Sequence, residues 1–386
     1  MTSNPRVIFG KRPAPHESPK VGEHLILDKS RTIDLENVPL NGGFLTKTLI
    51  LSPEPAMRER MRDPSIPSYT TTFVVGGPIL GFGVVVVVRS EKEGFKAGDY
   101  LYGLTVWEAY TVQPYVDGMF LLSSHPHGHR LMLAPGRINF KPEEWAPGTF
   151  DMDSLALQVV PNPNGLYPLS KYTSIMGTPG LTAFVGMEGI IDGKEGETLF
   201  VSSGASAVGS MVIQLAKLKG MKIIASAGSD AKVEYMRSLG ADLPFNYKKV
   251  NYGEFLQKNG PINAFWDNVG GEALDAALAS ITAYGKMAIC GTSGTDVLPP
   301  SEHYRLKNAY LIMKKCINIR GFIVPDLIPQ YIGKFFEVVP ALMAQGKLRS
   351  QETEVEGIEN APQAFTDTLA SGHEKAGTLV VVVARE

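Results

Sequence analysis

Phe200-Val-Ser-Ser-Gly-Ala-Ser-Ala-Val-Gly-Ser210 decides the fold. Glu197-Thr-Leu-Phe-Val-Ser202 reads as a buried strand, and the following residues are small. From Val208 to Lys219 the apolar residues Val208, Met211, Val212, Leu215 and Leu218 recur at helical spacing. A buried strand that turns tightly into a helix lets backbone approach a pyrophosphate, whose charge the helix N-terminus stabilises. The spacing departs from a strict G-x-G-x-x-G, since Ser206 stands where a glycine is expected and Ala207 follows. A tight strand–helix turn with no ligand accounts for the same residues.

Downstream, the pattern repeats. Strand Lys222–Ala227, helix Asp230–Leu239, a short strand near Leu243-Pro-Phe245, strand Ala264–Asp267, helix Glu272–Ile281 and strand Gly285–Cys290 alternate. Alternation at these lengths predicts an α/β fold with a doubly wound parallel sheet. In such domains an acid roughly 20 residues beyond the turn binds the ribose hydroxyls of NAD. Here the second strand runs into Ala227-Gly-Ser229, with Asp230 and then Lys232 beyond it. A lysine and a hydroxyl attract a 2′-phosphate that a carboxylate repels, which favours NADPH over NADH. A solvated helix lysine is the alternative for Lys232.

Upstream, the style is all-β. Phe73–Val88 gives strand-like runs interrupted by Gly76, Gly77, Gly81 and Gly83, as in small curved sheets. Gly94-Phe-Lys-Ala-Gly-Asp99 forms a turn before a strand at Tyr100. Toward the C-terminus a helix is expected near Gln330–Gln345, and a buried strand at Gly377–Ala384 that returns to the first domain. The expected organisation is a substrate domain over residues 1–170, a dinucleotide domain over 171–326 and a return over 327–386. Residues 113–157, with weak periodicity and many prolines, read as an irregular insertion.

The totals fit two domains: 386 residues exceed one hydrophobic core, and 44% apolar with 20% charged residues is ordinary globular composition. A formal net charge of −2 gives no electrostatic reason for nucleic acid or an anionic membrane as partner. The longest apolar run, Val84–Val88, is too short to span a bilayer. Cys290 and Cys316 imply no disulfide framework, so a reducing, cytoplasmic compartment is expected. They cannot form a tight zinc-binding cysteine cluster. His125, His127 and His129 alternate and could hold a metal, with a polar loop as the plainer reading; no metal site is expected.

These pieces together resemble the zinc-independent medium-chain dehydrogenase/reductases of the leukotriene B4 12-hydroxydehydrogenase/prostaglandin reductase and alkenal double-bond reductase group. The matching stretches include Gly177-Thr-Pro-Gly-Leu-Thr-Ala183, Ala227-Gly-Ser-Asp-Ala-Lys232, Phe245-Asn-Tyr-Lys248, Asp267-Asn-Val-Gly-Gly271, Ile289-Cys-Gly291 and Arg320-Gly-Phe322. Pro78–Val84, Phe95–Asp99 and Trp107–Tyr110 match in the first domain. The resemblance implies a GroES-like β domain, a Rossmann domain, a substrate cleft between them and a homodimer. It implies NADPH-dependent, metal-independent reduction of the C=C bond of α,β-unsaturated aldehydes and ketones (enals and enones). By position it puts Ala205, Ser206, Ala207, Val208 and Gly209 at the pyrophosphate, Lys232 at the 2′-phosphate, and Tyr247 and Asn268 at the adenosine and ribose side. Cys290, Gly291, Thr292 and Ser293, with Phe322, Ile323 and Val324, would flank the nicotinamide. Lys375 stands where the group often has an asparagine touching the cofactor. Two positions depart from the pattern: Ala56 and Asp296 replace tyrosines that touch substrate or help donate a proton. Tyr304 or Tyr310, or Asp296 itself if burial raised its pKa, are the candidates for that proton. A quinone reductase, or a cofactor-binding protein without catalysis, are the competing readings.

Overall fold

The computed structural model describes residues 1–66, 68–113, 158–159, 167–295, 298–370 and 376–385. Asp296, Lys375, His125, His127, His129 and nearly all of the 113–157 insertion lie outside them.

The chain forms two compact units. The first comprises Met1–Thr173, Glu352–Ala370 and Leu379–Glu386; the second comprises Ser174–Gln351 and Ser371–Thr378. Residues 327–351, which the sequence reading assigns to the return, stand with the second unit. The cause is helical packing: Phe184 meets Phe335 of the later helix edge-on, with ring centroids 5.6 Å apart.

In the first unit, strands Phe44–Leu51, Leu80–Ser90 and Tyr100–Val106 pair antiparallel in one curved sheet, and Thr378–Val382 joins Phe44–Leu51 at Val381↔Leu51. Leu80–Ser90 runs unbroken through the glycines that the sequence reads as interruptions. A Cβ on Gly81 would lie 2.7 Å from the Trp107 indole nitrogen, and one on Gly83 would lie 2.7 Å from the Ile50 carbonyl oxygen. The glycines mark close approach of neighbours, not strand ends. Trp107, Phe365, Phe9 and Phe73 are fully buried in the core beneath.

The second unit holds a six-stranded parallel sheet: β1 (Thr198–Val201), β2 (Lys222–Ala227), β3 (Leu243–Asn246), β4 (Ile262–Asp267), β5 (Ile281–Ile289) and β6 (Asn318–Gly321). Their spatial order is 3-2-1-4-5-6, the order of a Rossmann sheet, whose ligands bind beyond the strand ends where the order reverses. The α/β class is as expected. The helices are α1 (Thr178–Gly186), α2 (Ala207–Leu218), α3 (Asp230–Ser238), α4 (Tyr252–Asn259), α5 (Gly271–Ser280), α6 (Leu311–Lys314) and α7 (Ile328–Ala344). Sequence reading omits α4, the one-turn α6 and β6. Helix α4 has eight residues, starts from an Asn251 cap and buries only Tyr252 and Leu256, so it lacks a full apolar stripe. All four residues of β6 are exposed, which removes the apolar signal of a strand.

Candidate functional site

The reversal point of the sheet lies between β1 and β4, and both ends carry the residues singled out by sequence. β1 leads into Ser202-Ser-Gly-Ala-Ser206, and Ser206 caps α2. Its Oγ accepts the Gly209 N–H at 3.1 Å and donates to the Ser203 carbonyl at 2.8 Å. The serine that breaks the glycine pattern is thus a helix cap, satisfying a donor that a glycine would leave to water. Gly209 is required for a different reason. A Cβ there would lie 2.4 Å from Ser203 O and 2.8 Å from Gly204 Cα, so only glycine lets the helix close onto the turn. Ala207 and Val208 begin α2, and first-turn N–H groups have no intrahelical acceptor. This cradle of small residues facing a twelve-residue helix fits the pyrophosphate of a dinucleotide.

The turn is braced by a residue that sequence reading passes over. Gly377 N–H donates to Ala205 O at 2.9 Å, and Gly377 forms a parallel bridge with Ser206. Gly377 has φ of +84°, and a Cβ on it would lie 2.0 Å from Gln351 O. The single local signal for it is a glycine opening an apolar strand.

At the end of β4, Asp267 organises the neighbouring turn. One carboxylate oxygen accepts from Ser202 Oγ, Val269 N and Gly270 N, each at 2.9 Å. Burial nevertheless pushes its pKa up against those three hydrogen bonds, and the other oxygen has no partner among the described residues. Asn268, expected at the cofactor ribose, spends its side chain on the scaffold. Its Nδ2 donates to Ser202 O at 2.7 Å and its Oδ1 accepts the Trp266 indole N–H at 3.0 Å. Asn268 therefore ties the β1 turn to β4.

The residues after β5 fold back on the same end. Cys290 N and Gly291 N donate to Asp267 O at 2.8 and 3.1 Å, and Ser293 Oγ donates to Asn268 O at 2.9 Å. Cys290, Gly291 and Ser293, three of the expected nicotinamide-flanking residues, are thus tied to the Asp267-Asn268 turn, with Thr292 between them. Burial, and secondarily Asp267, pushes the Cys290 thiol up to about 12, so it is a neutral thiol at physiological pH. Phe322 packs edge-on against Trp266 at 5.7 Å, on the space left by Gly186. Ile323 and Val324 follow it into a short 3-10 turn.

The adenosine side is built by β2 and β3. Ala227 pairs with Asn246, and Tyr247 N–H donates to Ala227 O at 3.1 Å. The Tyr247 ring stacks on Tyr252 at 5.5 Å, and its hydroxyl lies 3.0 Å from where a Gly228 Cβ would be. Ser229 caps α3 through the Lys232 N–H. Lys232 is half-buried, and burial followed by the charge of Lys248 lowers its pKa.

Tyr304 is placed differently from its expected part. Its hydroxyl donates to Asp275 Oδ2 at 3.2 Å, and the same buried carboxylate accepts the N–H groups of Lys307 and Asn308 at 2.7 and 2.8 Å. With its proton already shared with Asp275, the phenol sits as a tether for residues 304–308 on α5. Tyr310 is 57% exposed at the start of α6. Among the described residues no three His, Cys, Asp or Glu side chains group as metal ligands. No helix among them is long and apolar enough to cross a membrane.

Known proteins are similar to this chain over nearly its whole length. A family model described as zinc-binding dehydrogenase matches residues 207–342, and one described as the N-terminal domain of oxidoreductase matches residues 29–121. An NADP-dependent 2-alkenal reductase of Nicotiana tabacum is 34% identical, covering 93% of this chain and 92% of its own. The chain belongs to the zinc-independent medium-chain dehydrogenase/reductases, in the alkenal reductase group. Also similar is a zinc-type alcohol dehydrogenase-like protein of Schizosaccharomyces pombe, 32% identical over the full length of both chains. A crystal structure of CurA from Vibrio vulnificus in complex with NADPH superposes with a TM-score of 0.76 at 26% identity, covering 99% of this chain and all of its own. The chain is an NADPH-dependent oxidoreductase of this group, and NADPH is its cofactor.

Proposed function

We propose that the protein reduces the C=C bond of α,β-unsaturated aldehydes and ketones, independently of metal. The observation that carries this reading is the glycine-closed turn together with Lys232 in the helix after the second strand, set in a chain that aligns over 93% of its length with a 2-alkenal reductase. A (+)-pulegone reductase of Mentha piperita, 31% identical over 90% of the chain, supports the same bond type.

When bound, NADPH would supply a hydride for the β-carbon of the substrate. The chain's own residues hold and orient. Ala205, Ser206, Ala207, Val208 and Gly209 cradle the pyrophosphate, Lys232 holds the 2′-phosphate and Tyr247 borders the adenosine. Cys290, Gly291, Thr292 and Ser293, with Phe322, Ile323 and Val324, flank the nicotinamide, and Asn268 keeps the two turns in register. Lys375 and Asp296, assigned to the same set by their place in the sequence, lie outside the described residues. Hydride addition leaves an enolate, whose oxygen a hydrogen-bond donor must meet and whose α-carbon takes a proton from water to give the saturated carbonyl. A thiol held neutral at Cys290 is a poor nucleophile, a useful property beside electrophilic enals.

Steady-state NADPH oxidation over enals, enones, quinones and saturated aldehydes tests the reading. Turnover with 2-alkenals and 2-alkenones that yields the saturated carbonyl product, unchanged after exhaustive chelation, is expected. Turnover confined to quinones, or loss of activity with stoichiometric zinc, would overturn it.

A homodimer is proposed along β6. That strand pairs only with β5 among the described residues, and its outer edge, Asn318–Gly321, is exposed. An open edge of this kind is a template for another strand. Ile319 (36% exposed) lies on it, and Met313 (75%) and Tyr284 (77%) are exposed on the adjoining α6 and β5. Ile319→Pro is expected to convert a dimer to a monomer in light scattering; a wild-type monomer, or a variant dimer, contradicts the assignment.

A further inference from the structure

We propose that a pair of lysines, Lys232 and Lys248, holds the 2′-phosphate of NADPH, and that Lys249 protects the pair by neutralising Asp230. The proposal rests on the placement of the 2′-phosphate at Lys232 and extends it to residues outside that assignment.

The sheet brings these residues together. β2 and β3 are parallel neighbours, with Ala227 opposite Asn246. The segments 228–232 and 247–249 therefore leave the same end of the sheet side by side. Lys232 lies in the first turn of α3, and Lys248 follows Tyr247, whose hydroxyl borders Gly228. Lys248 is exposed, and its ammonium has no ion pair or side-chain hydrogen bond among the described residues. Its charge reaches Lys232, where it acts against the ammonium form. Two cations that oppose each other at one end of a strand pair are relieved by an anion placed with them. A phosphate monoester carries close to two negative charges at neutral pH, enough for both.

Asp230 is the acid beside this pair and would repel such an anion. Both of its oxygens are already taken: Asn246 Nδ2 donates to Oδ1 at 2.9 Å and Lys249 Nζ pairs with Oδ2 at 2.5 Å. The two consecutive lysines thus divide the work. Lys249 cancels the acid, and Lys248 is left for the ligand. The pattern Asn246-Tyr-Lys-Lys249 closing the third strand is the sequence signature of this arrangement.

The test is direct binding to the full chain, by calorimetry or protein fluorescence, with NADPH, NADH, adenosine 2′,5′-bisphosphate and AMP. Lys248→Ala is expected to weaken NADPH and the bisphosphate by about three- to tenfold, leaving NADH and AMP unchanged. Lys249→Ala is expected to weaken the same two ligands, and Asp230→Asn in the same chain to restore them. Unchanged melting temperatures for these exposed substitutions establish that the effects are local. If Lys232→Ala is selective for the phosphorylated ligands but Lys248→Ala is not, the lysine pair is wrong. If Asp230→Asn fails to rescue Lys249→Ala, the neutralising role is wrong. If Lys232→Ala weakens NADPH and NADH equally, the placement of the phosphate at Lys232 fails instead.

Discussion

Gly180→Ala is expected to destabilise the dinucleotide unit by about 3 kcal/mol or more, at the upper end of what forced overpacking costs. A Cβ at Gly180 would stand 1.8 Å from the Ile175 carbonyl oxygen and 2.6 Å from its carbon. Both are backbone atoms, so no rotamer change relieves the overlap. The chain here is fixed on both sides. Gly180 N–H donates to Ser174 O at 3.1 Å, and Thr182 Oγ donates to Thr178 O at 2.7 Å. Pro179 and residues 182–186 of α1 are buried. Moving α1 outward would pull Phe184 from Phe335 and open the contact of Gly186 with Trp266, whose ring would lie 2.4 Å from a Cβ there. The control is Gly333→Ala in α7, where a Cβ meets nothing within 4 Å. Alanine there should be neutral or stabilising by up to about 1 kcal/mol, as in any exposed helix interior. Thermal unfolding separates the two, since about 3 kcal/mol in a unit of this size moves the midpoint by roughly 6–12 °C. A Gly180→Ala midpoint equal to that of Gly333→Ala would show that the helix does not close on Ile175.

The contrast between these glycines marks how far sequence alone reaches. Strands β1 to β5 and helices α2, α3 and α5 announce themselves because each carries a local period, apolar or alternating, that survives burial. β6 does not, because an edge strand with four exposed residues has no inner face to pattern. The glycines of Leu80–Ser90 read as breaks, since a missing side chain looks the same whether it frees the backbone or admits a neighbour. Their neighbours, Trp107 and Ile50, are distant in sequence. The site divides in the same way. Gly209 and Lys232 are legible because their spacing from β1 and β2 is local. Gly377 is not, because its partner Ala205 lies in a different part of the chain. Asn268 and Tyr304 are legible as polar residues near the site, but their hydrogen bonds to Ser202, Trp266 and Asp275 are tertiary facts. Ala56 and Asp296 remain departures from the group's tyrosines, and Asp296 lies outside the described residues.

Lys232→Ala is expected to raise the dissociation constant of NADPH by about ten- to a hundredfold and to leave that of NADH nearly unchanged. A charge-assisted pair to a phosphate contributes roughly 1.5–3 kcal/mol, which is that range in affinity. Several features put Lys232 toward the upper part. It is half-buried, so solvent screens it less than a surface lysine. Its backbone N–H is fixed by the Ser229 cap, so the side chain starts from a defined position. The adjacent acid, Asp230, is already engaged by Asn246 and Lys249. The pH dependence follows from the direction of its pKa. Burial and Lys248 both lower it, so Lys232 loses its proton sooner than an ordinary lysine as pH rises. NADPH affinity should therefore fall with rising alkalinity while NADH affinity stays level, and Lys232→Ala should flatten the difference. Lys232→Arg, whose guanidinium stays charged throughout, should retain the preference for NADPH and lose that alkaline decline. Equal losses for both cofactors in Lys232→Ala would mean that the residue supports the fold of α3. A preserved decline in Lys232→Arg would assign the titration to another group.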